Sequence, residues 1–316
     1  MNISFVILSF NRDDIIAKNI DAIYSCIGNV TDCSHCDNNF EIIVVDNNST
    51  DKTDLLLRRY INNDNFRIIK NNENLGVAKG RNCGLNASRG NWIVILDDDS
   101  ILPQESMKLL LDATSIPNET GIFALNVKNM NTGLCFSDDL VSLNYISNFH
   151  GAGHVINRNV VNDIGCLDEM CEFGGEELDY SIRCRKAGYN IELLNDCIVE
   201  HYCRIRSGSE GFSRRSKWIY NYIRVIAKHF PLLVSFKFAI RYSISHIVNV
   251  KFNKDISILS GVKMLVISSF KGYISGRAHR NKISGSLLSL YTSQKMRPQY
   301  GNVSILNRVI ERNRRK

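Results

Sequence analysis

The chain has 316 residues, of which 44% are hydrophobic and 22% charged, a composition that excludes a disordered protein and suits one large core or two smaller ones. The formal charge of +7 is unevenly held: residues 1–203 carry 16 Lys and Arg against 29 Asp and Glu, and residues 204–316 carry 23 against 3. An acidic first part suits metal and transfer chemistry, and a basic second part suits an anionic partner, whether membrane phospholipid, a pyrophosphate-bearing acceptor or nucleic acid.

The N-terminus, Asn2 to Leu8, has no basic n-region and no small-residue cleavage site. Ile3 to Phe10 therefore reads as a first strand and not as a signal peptide, and the expected location is the cytosol. Apolar residues at Ile16, Ile20, Ile23 and Ile27 predict a helix over 13–27. Ten cysteines without framework spacing read as reduced thiols. Cys26, Cys33, His35 and Cys36 could hold zinc, but no second pair follows at suitable spacing, so ordinary thiols are the better reading.

A second strand, Glu41 to Val45, ends at Asp46-Asn47-Asn48-Ser49-Thr50-Asp51, where Ser49 or Thr50 can cap a helix carrying Leu55, Leu56, Leu57 and Tyr60. Phe66 to Lys70 is a short third strand. Val77 to Ala87 is a helix entered through Asn74-Leu75-Gly76, and Trp92 to Leu96 is a fourth strand that runs straight into Asp97-Asp98-Asp99. Like charges this close raise one another's pKa and resist folding, so a divalent cation or a network of donors must compensate them. A hard cation here would also meet the phosphates of a nucleotide diphosphate. The plainer alternative is an acidic turn in which Asp99 or Ser100 caps a helix over 104–113.

Strands alternating with helices, with polar residues gathered at the strand ends, predict an open α/β sheet that binds ligands at its carboxyl edge, a Rossmann-like nucleotide half-domain. No G-x-G-x-x-G follows the first strand and no G-x-x-x-x-G-K-[ST] occurs, which argues against dinucleotide oxidoreductases and P-loop NTPases.

Four ordered stretches carry a family resemblance: Val6-Ile7-Leu8-Ser9-Phe10-Asn11-Arg12, Ile42 to Asp51, Asn74 to Gly84, and Leu96-Asp97-Asp98-Asp99. The resemblance continues through Gly151-Ala152-Gly153, Asn157-Arg158, Gly165 to Glu169, and Phe173-Gly174-Gly175-Glu176-Glu177-Leu178-Asp179 on to Tyr189. Together these resemble family 2 glycosyltransferases of the GT-A fold, of the bacterial polysaccharide type, over about Ile3 to His201.

The resemblance implies a GT-A catalytic domain over 1–203, a mixed sheet flanked by helices, with a donor half to about residue 100 and an acceptor half over 101–203. It implies an inverting single displacement from a nucleotide-sugar. Glu177 matches the general base, Asp99 the metal ligand, and Asp97 the ribose or the metal. His201 matches a histidine that approaches the metal and diphosphate, with Mn²⁺ or Mg²⁺ as the cofactor. Asp46 matches the acid that reads the base; Ser9 and Asn11 border base and ribose, and Arg81 the phosphates, with Asp98 also on the donor. The family's Glu-Asp pair is Glu176-Glu177 here, which leaves the choice between the two glutamates open. Asp179 is better read as an i,i+4 ion-pair partner of Arg183 than as a catalytic acid. The Gly-Gly-Glu step tilts the donor toward a UDP-hexose or UDP-N-acetylhexosamine, with dTDP-rhamnose second.

After His201, Arg204 to Ser213 is placed to be a mobile loop hinged at Gly208 and Gly211, followed by a helix over 218–230 stopped by Pro231. The stretches 232–250 and 256–274 are apolar but broken by Lys237, Arg241, His246, Lys263 and Lys271, too short and charged to span a bilayer of ~20 apolar residues. They read as basic amphipathic helices at an anionic membrane surface, the alternative being a helical subdomain with solvated cations. The basic end Arg308 to Lys316 is expected to fray. The leading function is sugar addition to a lipid-linked (polyprenyl diphosphate) oligosaccharide in O-antigen or capsule assembly, peripheral at the inner face of the cell membrane. The alternative is a nucleic-acid-binding protein using the basic part, which has no recognisable nucleic-acid module and leaves the carboxylates unexplained.

Overall fold

The computed structural model describes residues 2–30, 40–115, 119–136, 146–204, 208–248 and 258–292. Four apolar strands, β1 (Ile3–Ser9), β2 (Phe40–Asp46), β3 (Phe66–Lys70) and β4 (Trp92–Asp97), pair in parallel in the order β3-β2-β1-β4. Their side chains are buried almost throughout β1, β2 and β4, as near-continuous apolar runs covered on both faces should be. The sheet continues through β7 (Gly153–Asn157), β6 (Thr120–Asn129), β8 (Asn190–His201) and the two-residue β5 (Ser100–Ile101), giving eight strands in all. Parallel and antiparallel pairs mix in this second half: β4–β7 and β6–β7 are antiparallel, β6–β8 is parallel, and β5–β8 is antiparallel.

Helices α1 (Ile16–Val30), α2 (Thr53–Leu57), α3 (Gly76–Ala87) and α4 (Gln104–Ser115) follow β1, β2, β3 and β5, and α5 (Arg158–Ile164) and α6 (Glu176–Lys186) precede β8. In α1 the residues Ile16, Ile20, Ile23 and Ile27 are buried, one stripe of a 3.6-residue period. The expected cap of α2 differs. Lys52 holds the N-cap position without a side-chain bond, Asp51 Oδ1 accepts from the Thr53 amide at 2.9 Å, and Ser49 Oγ is occupied by the Asn11 amide at 2.9 Å. Asp99 and Ser100 likewise cap nothing, because Ser100 pairs in β5.

The chain divides into two compact units, Met1–Glu172 with Glu176–Cys203, and Phe173–Gly175 with Arg204–Lys316. In the second unit α7 (Gly208–His229) packs on α8 (Leu232–Val248) and on α9 (Ile258–Ala278), and α10 (Gly285–Thr292) follows. Phe212, Ile219, Ile223, Ala239 and Leu265 form its core. The carbonyls of Tyr220 and Arg224 on α7 sit where Cβ atoms would stand on Gly272 and Gly276, so α9 approaches α7 closely through those glycines. Gly208 to Ser213, expected as loop, is the first part of α7. The apolar register of Phe212, Ile219, Ile223 and Ile226 outweighs the roughly 1 kcal/mol that each glycine costs a helix. Pro231 does end α7, one residue after Phe230.

The tripeptide before α6 belongs to this second unit. Asn221 donates to the Phe173 carbonyl at 3.0 Å, the Arg214 guanidinium lies over the Phe173 ring at 3.9 Å, and the Trp218 ring covers Gly174. Gly174 and Gly175 have φ of 76° and 90°, a left-handed pair that a side chain would strain. No helix among the described residues is long and apolar enough to cross a membrane. None of the described cysteines is in a disulfide; Cys33, His35 and Cys36 lie outside the described residues, and Cys26 is buried with its thiol 3.6 Å from the Leu102 carbonyl.

Candidate active site

Parallel pairing sets Ser9 beside Asp46 at the carboxyl ends of β1 and β2. Both are fully buried, and Ser9 Oγ and Asp46 Oδ2 have no hydrogen-bond partner. Buried polar atoms are rarely left so, which marks this edge as shaped for a polar ligand. The loops beyond these strands are stitched together. Asn11 Oδ1 accepts from the Thr50 amide at 2.7 Å, the Arg12 amide donates to Thr53 Oγ1 at 2.9 Å, and Asp46 Oδ1 accepts from the Ser49 amide at 2.9 Å. Asn11 and Asn48 hold the loops with φ of 54° and 68°, the left-handed region that asparagine tolerates best among residues with a Cβ.

The three consecutive carboxylates sit at the end of β4, and donors surround them. Arg12 Nη1 donates to Asp99 Oδ2 at 2.6 Å, Arg81 Nη2 to Asp97 Oδ1 at 2.6 Å, and the Phe10 amide to Asp98 Oδ2 at 3.0 Å. Because Ser100 pairs with His201, the imidazole reaches back and Nε2 lies 3.0 Å from Asp99 Oδ1. Burial raises the Asp97 pKa, but Arg81 and His201 outweigh it and hold the group below its ordinary value. Burial and the Asp99 charge push Asp98 up to about 7. For His201, burial opposes the charge, and the bond to Asp99 overrides it and lifts the imidazole to about 10.

Asp97, Asp99 and His201 each offer one ligand atom, and these atoms lie within 4.8 Å of one another. Two carboxylate oxygens and an imidazole nitrogen fit a borderline-hard divalent ion such as Mn²⁺. Across from them, α6 begins with Glu176 and Glu177, where the positive end of the helix favours acids. Arg81, itself buried, joins the two groups: Nη1 donates to Glu176 Oε1 at 3.2 Å and Nη2 to the Gly151 carbonyl at 3.0 Å. Glu177 lies over Gly151, whose missing side chain leaves the space for the carboxylate. Burial pushes Glu176 well above the carboxylate range, and the Glu177 charge adds to it. Burial raises Glu177 too, with Arg81 and a hydrogen bond from Glu176 acting against the shift.

The site thus brings Arg81, Asp97, Asp98, Asp99, His201, Glu176 and Glu177 into one network, with Ser9, Asn11 and Asp46 along the adjoining strand ends. Arg81 is engaged with carboxylates rather than turned to solvent. Asp179 pairs with Arg183 Nε at 2.7 Å, as the i,i+4 spacing predicts. Three participants were not assigned from sequence. Arg12 holds Asp99, and His150 stacks edge-on to His201 with ring centroids 5.8 Å apart. His154 is the third: its Nδ1 lies 3.2 Å from the His150 carbonyl. Burial drives both His150 and His154 down to about 3, so both are neutral at physiological pH. Both flank Gly151-Ala152-Gly153, and a histidine on each side of a glycine-rich turn was the available signal.

The family model described as glycosyl transferase family 2 matches residues 4–166, and that of glycosyl transferase family group 2 matches residues 92–271. The chain belongs to glycosyl transferase family 2. Among its relatives, the succinoglycan biosynthesis protein ExoO of Rhizobium meliloti (strain 1021) is 29% identical over 130 residues, 41% of this chain and 34% of ExoO. The Escherichia coli protein WfaP, a UDP-Glc:alpha-D-GlcNAc-diphosphoundecaprenol beta-1,3-glucosyltransferase, is 23% identical over 251 residues, 77% of this chain and 95% of WfaP. The mannosyltransferase PcManGT from Pyrobaculum calidifontis, solved with GDP-Man and Mn²⁺, superposes with a TM-score of 0.58 at 15% identity, covering 98% of this chain and 82% of that one. The mixed sheet flanked by helices is the GT-A fold. This family 2 chain is a glycosyltransferase with relatives in polysaccharide biosynthesis, which favours the transferase over the nucleic-acid alternative.

Proposed function

We propose that the protein is an inverting glycosyltransferase that moves a sugar from a UDP-sugar to a hydroxyl of a lipid-linked glycan during surface polysaccharide assembly. The observation that carries this reading is the bridge made by Arg81, which ties the buried Glu176, next to the partly exposed Glu177 on α6, to Asp97 of the Asp97–Asp99–His201 set. Transfer needs these two functions side by side: a base for the acceptor proton and charge compensation for the departing diphosphate.

In this reading Ser9, Asn11 and Asp46 hold the nucleoside, and Asp97, Asp99 and His201 would hold Mn²⁺ or Mg²⁺. The cation, when bound, neutralises the diphosphate as it leaves. Glu177 takes the proton from the acceptor hydroxyl while that oxygen forms its bond to the anomeric carbon and the bond to the diphosphate oxygen breaks, inverting the centre. Glu176 is the more deeply buried of the two and accepts a hydrogen bond from Arg81, whereas Glu177 lies over Gly151, and in this reading Glu177 is the base. Arg81 orients both carboxylate groups and does not itself meet the phosphates. Asp98 faces Arg12 and the Phe10 amide at the donor side.

The UDP-glucose donor and diphosphoundecaprenol acceptor in the name of WfaP support a UDP-sugar and a polyprenyl diphosphate acceptor. An anionic membrane surface, reached by peripheral binding from the cytoplasmic side, is then where the acceptor is met. The test is transfer of labelled sugar from a panel of UDP-, dTDP- and GDP-sugars to polyprenyl-diphosphate glycans, with Mn²⁺, Mg²⁺ or EDTA. Metal-dependent transfer from a UDP-sugar, absent in Glu177→Gln, supports the reading; transfer that is indifferent to Glu177 and to metal refutes it.

A further inference from the structure

Helices α8 and α9 form an antiparallel pair: Ser243 Oγ donates to Ser269 Oγ at 2.8 Å near one end, and Tyr273 lies beside Ser235 and Phe236 near the other. The far side of α9 is committed to α7 through Gly272, Gly276 and Leu265. What remains outside is apolar. On α8, Leu233, Phe236, Ile240 and Ile244 recur at spacings of three and four and are all exposed. On α9, Leu259, Val266, Ile267, Phe270 and Ile274 are exposed too, the last three at spacings of three and four, with Leu233 and Leu259 each 81% exposed and Phe270 67%.

At about 100° per residue each stripe occupies one side of its helix, next to the seam. Ala239 and Tyr242 of α8 and Leu265, Gly272 and Gly276 of α9 all pack toward α7, so both exposed stripes lie on the outer side of the hairpin and make one apolar face. Soluble proteins seldom leave so many large side chains together in water. The charge around the face says what covers it. Lys237 and Arg241 border the α8 stripe, Lys263 lies within the α9 stripe and Lys271 beside it, all exposed. Residues 204–316 hold 23 cations against 3 acids, so an anionic cover is favoured over an apolar protein core. Long cationic side chains can sink their methylenes with the apolar residues and keep their charge at the phosphates.

We propose that the exposed face of the α8–α9 hairpin is a docking surface for an anionic phospholipid bilayer, with Leu233, Phe236, Ile240, Phe270 and Ile274 inserted at headgroup depth and Lys237, Arg241, Lys263 and Lys271 on lipid phosphates. It rests on the membrane-bound acceptor of the proposed function and assigns the residues that reach that membrane. None of these side chains belongs to the site network, so docking and transfer are separable.

The full-length protein is sedimented with vesicles of phosphatidylethanolamine and phosphatidylglycerol, and with vesicles of phosphatidylcholine alone. Wild type should bind the anionic vesicles, and Phe236→Glu with Phe270→Glu should weaken that binding at least about tenfold. Replacing Lys237, Arg241, Lys263 and Lys271 by Gln should weaken it about fivefold per cation on anionic vesicles only. Sugar transfer to a water-soluble acceptor analogue, measured on the same proteins, should be unchanged and reads the transferase assignment separately. Circular dichroism of the variants reads their folding. The proposal is overturned if wild type ignores anionic vesicles, if the glutamate variant binds them as wild type does, or if sedimentation velocity finds the face closed in a dimer that the glutamates dissociate.

Discussion

His201 Nε2 and Asp99 Oδ1 stand 3.0 Å apart because the two-residue strand β5 pairs with β8 and sets Ser100 opposite His201. Two residues about a hundred positions apart in the chain thereby become neighbours in one candidate cation site. His201→Ala should weaken Mn²⁺-supported nucleotide binding by about 10- to 100-fold, and because it also removes the buried ion pair with Asp99 it should lower the melting temperature of the metal-free protein. Titration of Mn²⁺ at fixed nucleotide concentration measures it; an unchanged Mn²⁺ midpoint would remove His201 from the site.

Arg81 is a buried cation shared by Asp97 and Glu176. Arg81→Met removes the charge and leaves two carboxylates without their donor, so it should cost about 3 kcal/mol or more of folding stability. Denaturant melts test this. A loss below about 1 kcal/mol would mean that solvent, and not Arg81, carries those charges.

The two glutamates of α6 should separate on substitution. Glu177→Gln removes the base and should lower kcat by about 10²- to 10⁴-fold with little change in donor affinity. Glu176→Gln keeps an acceptor for Arg81 and should retain most of the activity. Equal losses in both variants would contradict the assignment of the base.

The pH dependence follows from the same pair. A base must be deprotonated to act, and burial raises the Glu177 pKa above its ordinary value. Activity is therefore complete above that raised pKa and falls as pH drops through it, at a pH higher than an exposed glutamate would give. Glu176→Ala removes a hydrogen bond that acts against the shift, so the acid limb of the kcat profile should move to still higher pH. A limb in the ordinary carboxylate range would show that Glu177 is solvated during turnover.

Gly151 leaves room for Glu177 and Arg81 where a Cβ would collide with both. Gly151→Ala should lower kcat at least about tenfold, by moving the base off its geometry, with KM for the donor affected less. Steady-state kinetics in both substrates would decide it.

Much of this site was legible in the chain because strand ends advertise themselves. Asp46 and Asp97 close apolar runs, Glu176 and Glu177 follow two glycines, and His201 closes the long strand β8. What was illegible depends on distance. Arg12 was in plain view beside Asn11, but its partner Asp99 lies 87 residues on, and only the β1–β4 pairing brings them together. His150 gains its place from folding of the turn at Gly151–Gly153, which no periodicity describes. Gly208 and Gly211 argue locally for a loop, and the packing of Phe212 and Ile219 into the second unit overrides them. The apolar character of 232–248 and 258–274 was visible as runs broken by cations, but which side of α9 stays outside is set by its glycine contacts with α7.

The central claim, that the Asp97–Asp99–His201 set holds a cation for a nucleotide diphosphate, is tested most directly by calorimetric titration of UDP, dTDP, GDP and CMP into wild type and Asp99→Ala, each with Mn²⁺, Mg²⁺ and EDTA. The account predicts UDP binding that requires the cation and disappears in Asp99→Ala. Binding of none of the nucleotides under any condition, or binding unchanged by EDTA and by Asp99→Ala, would contradict it.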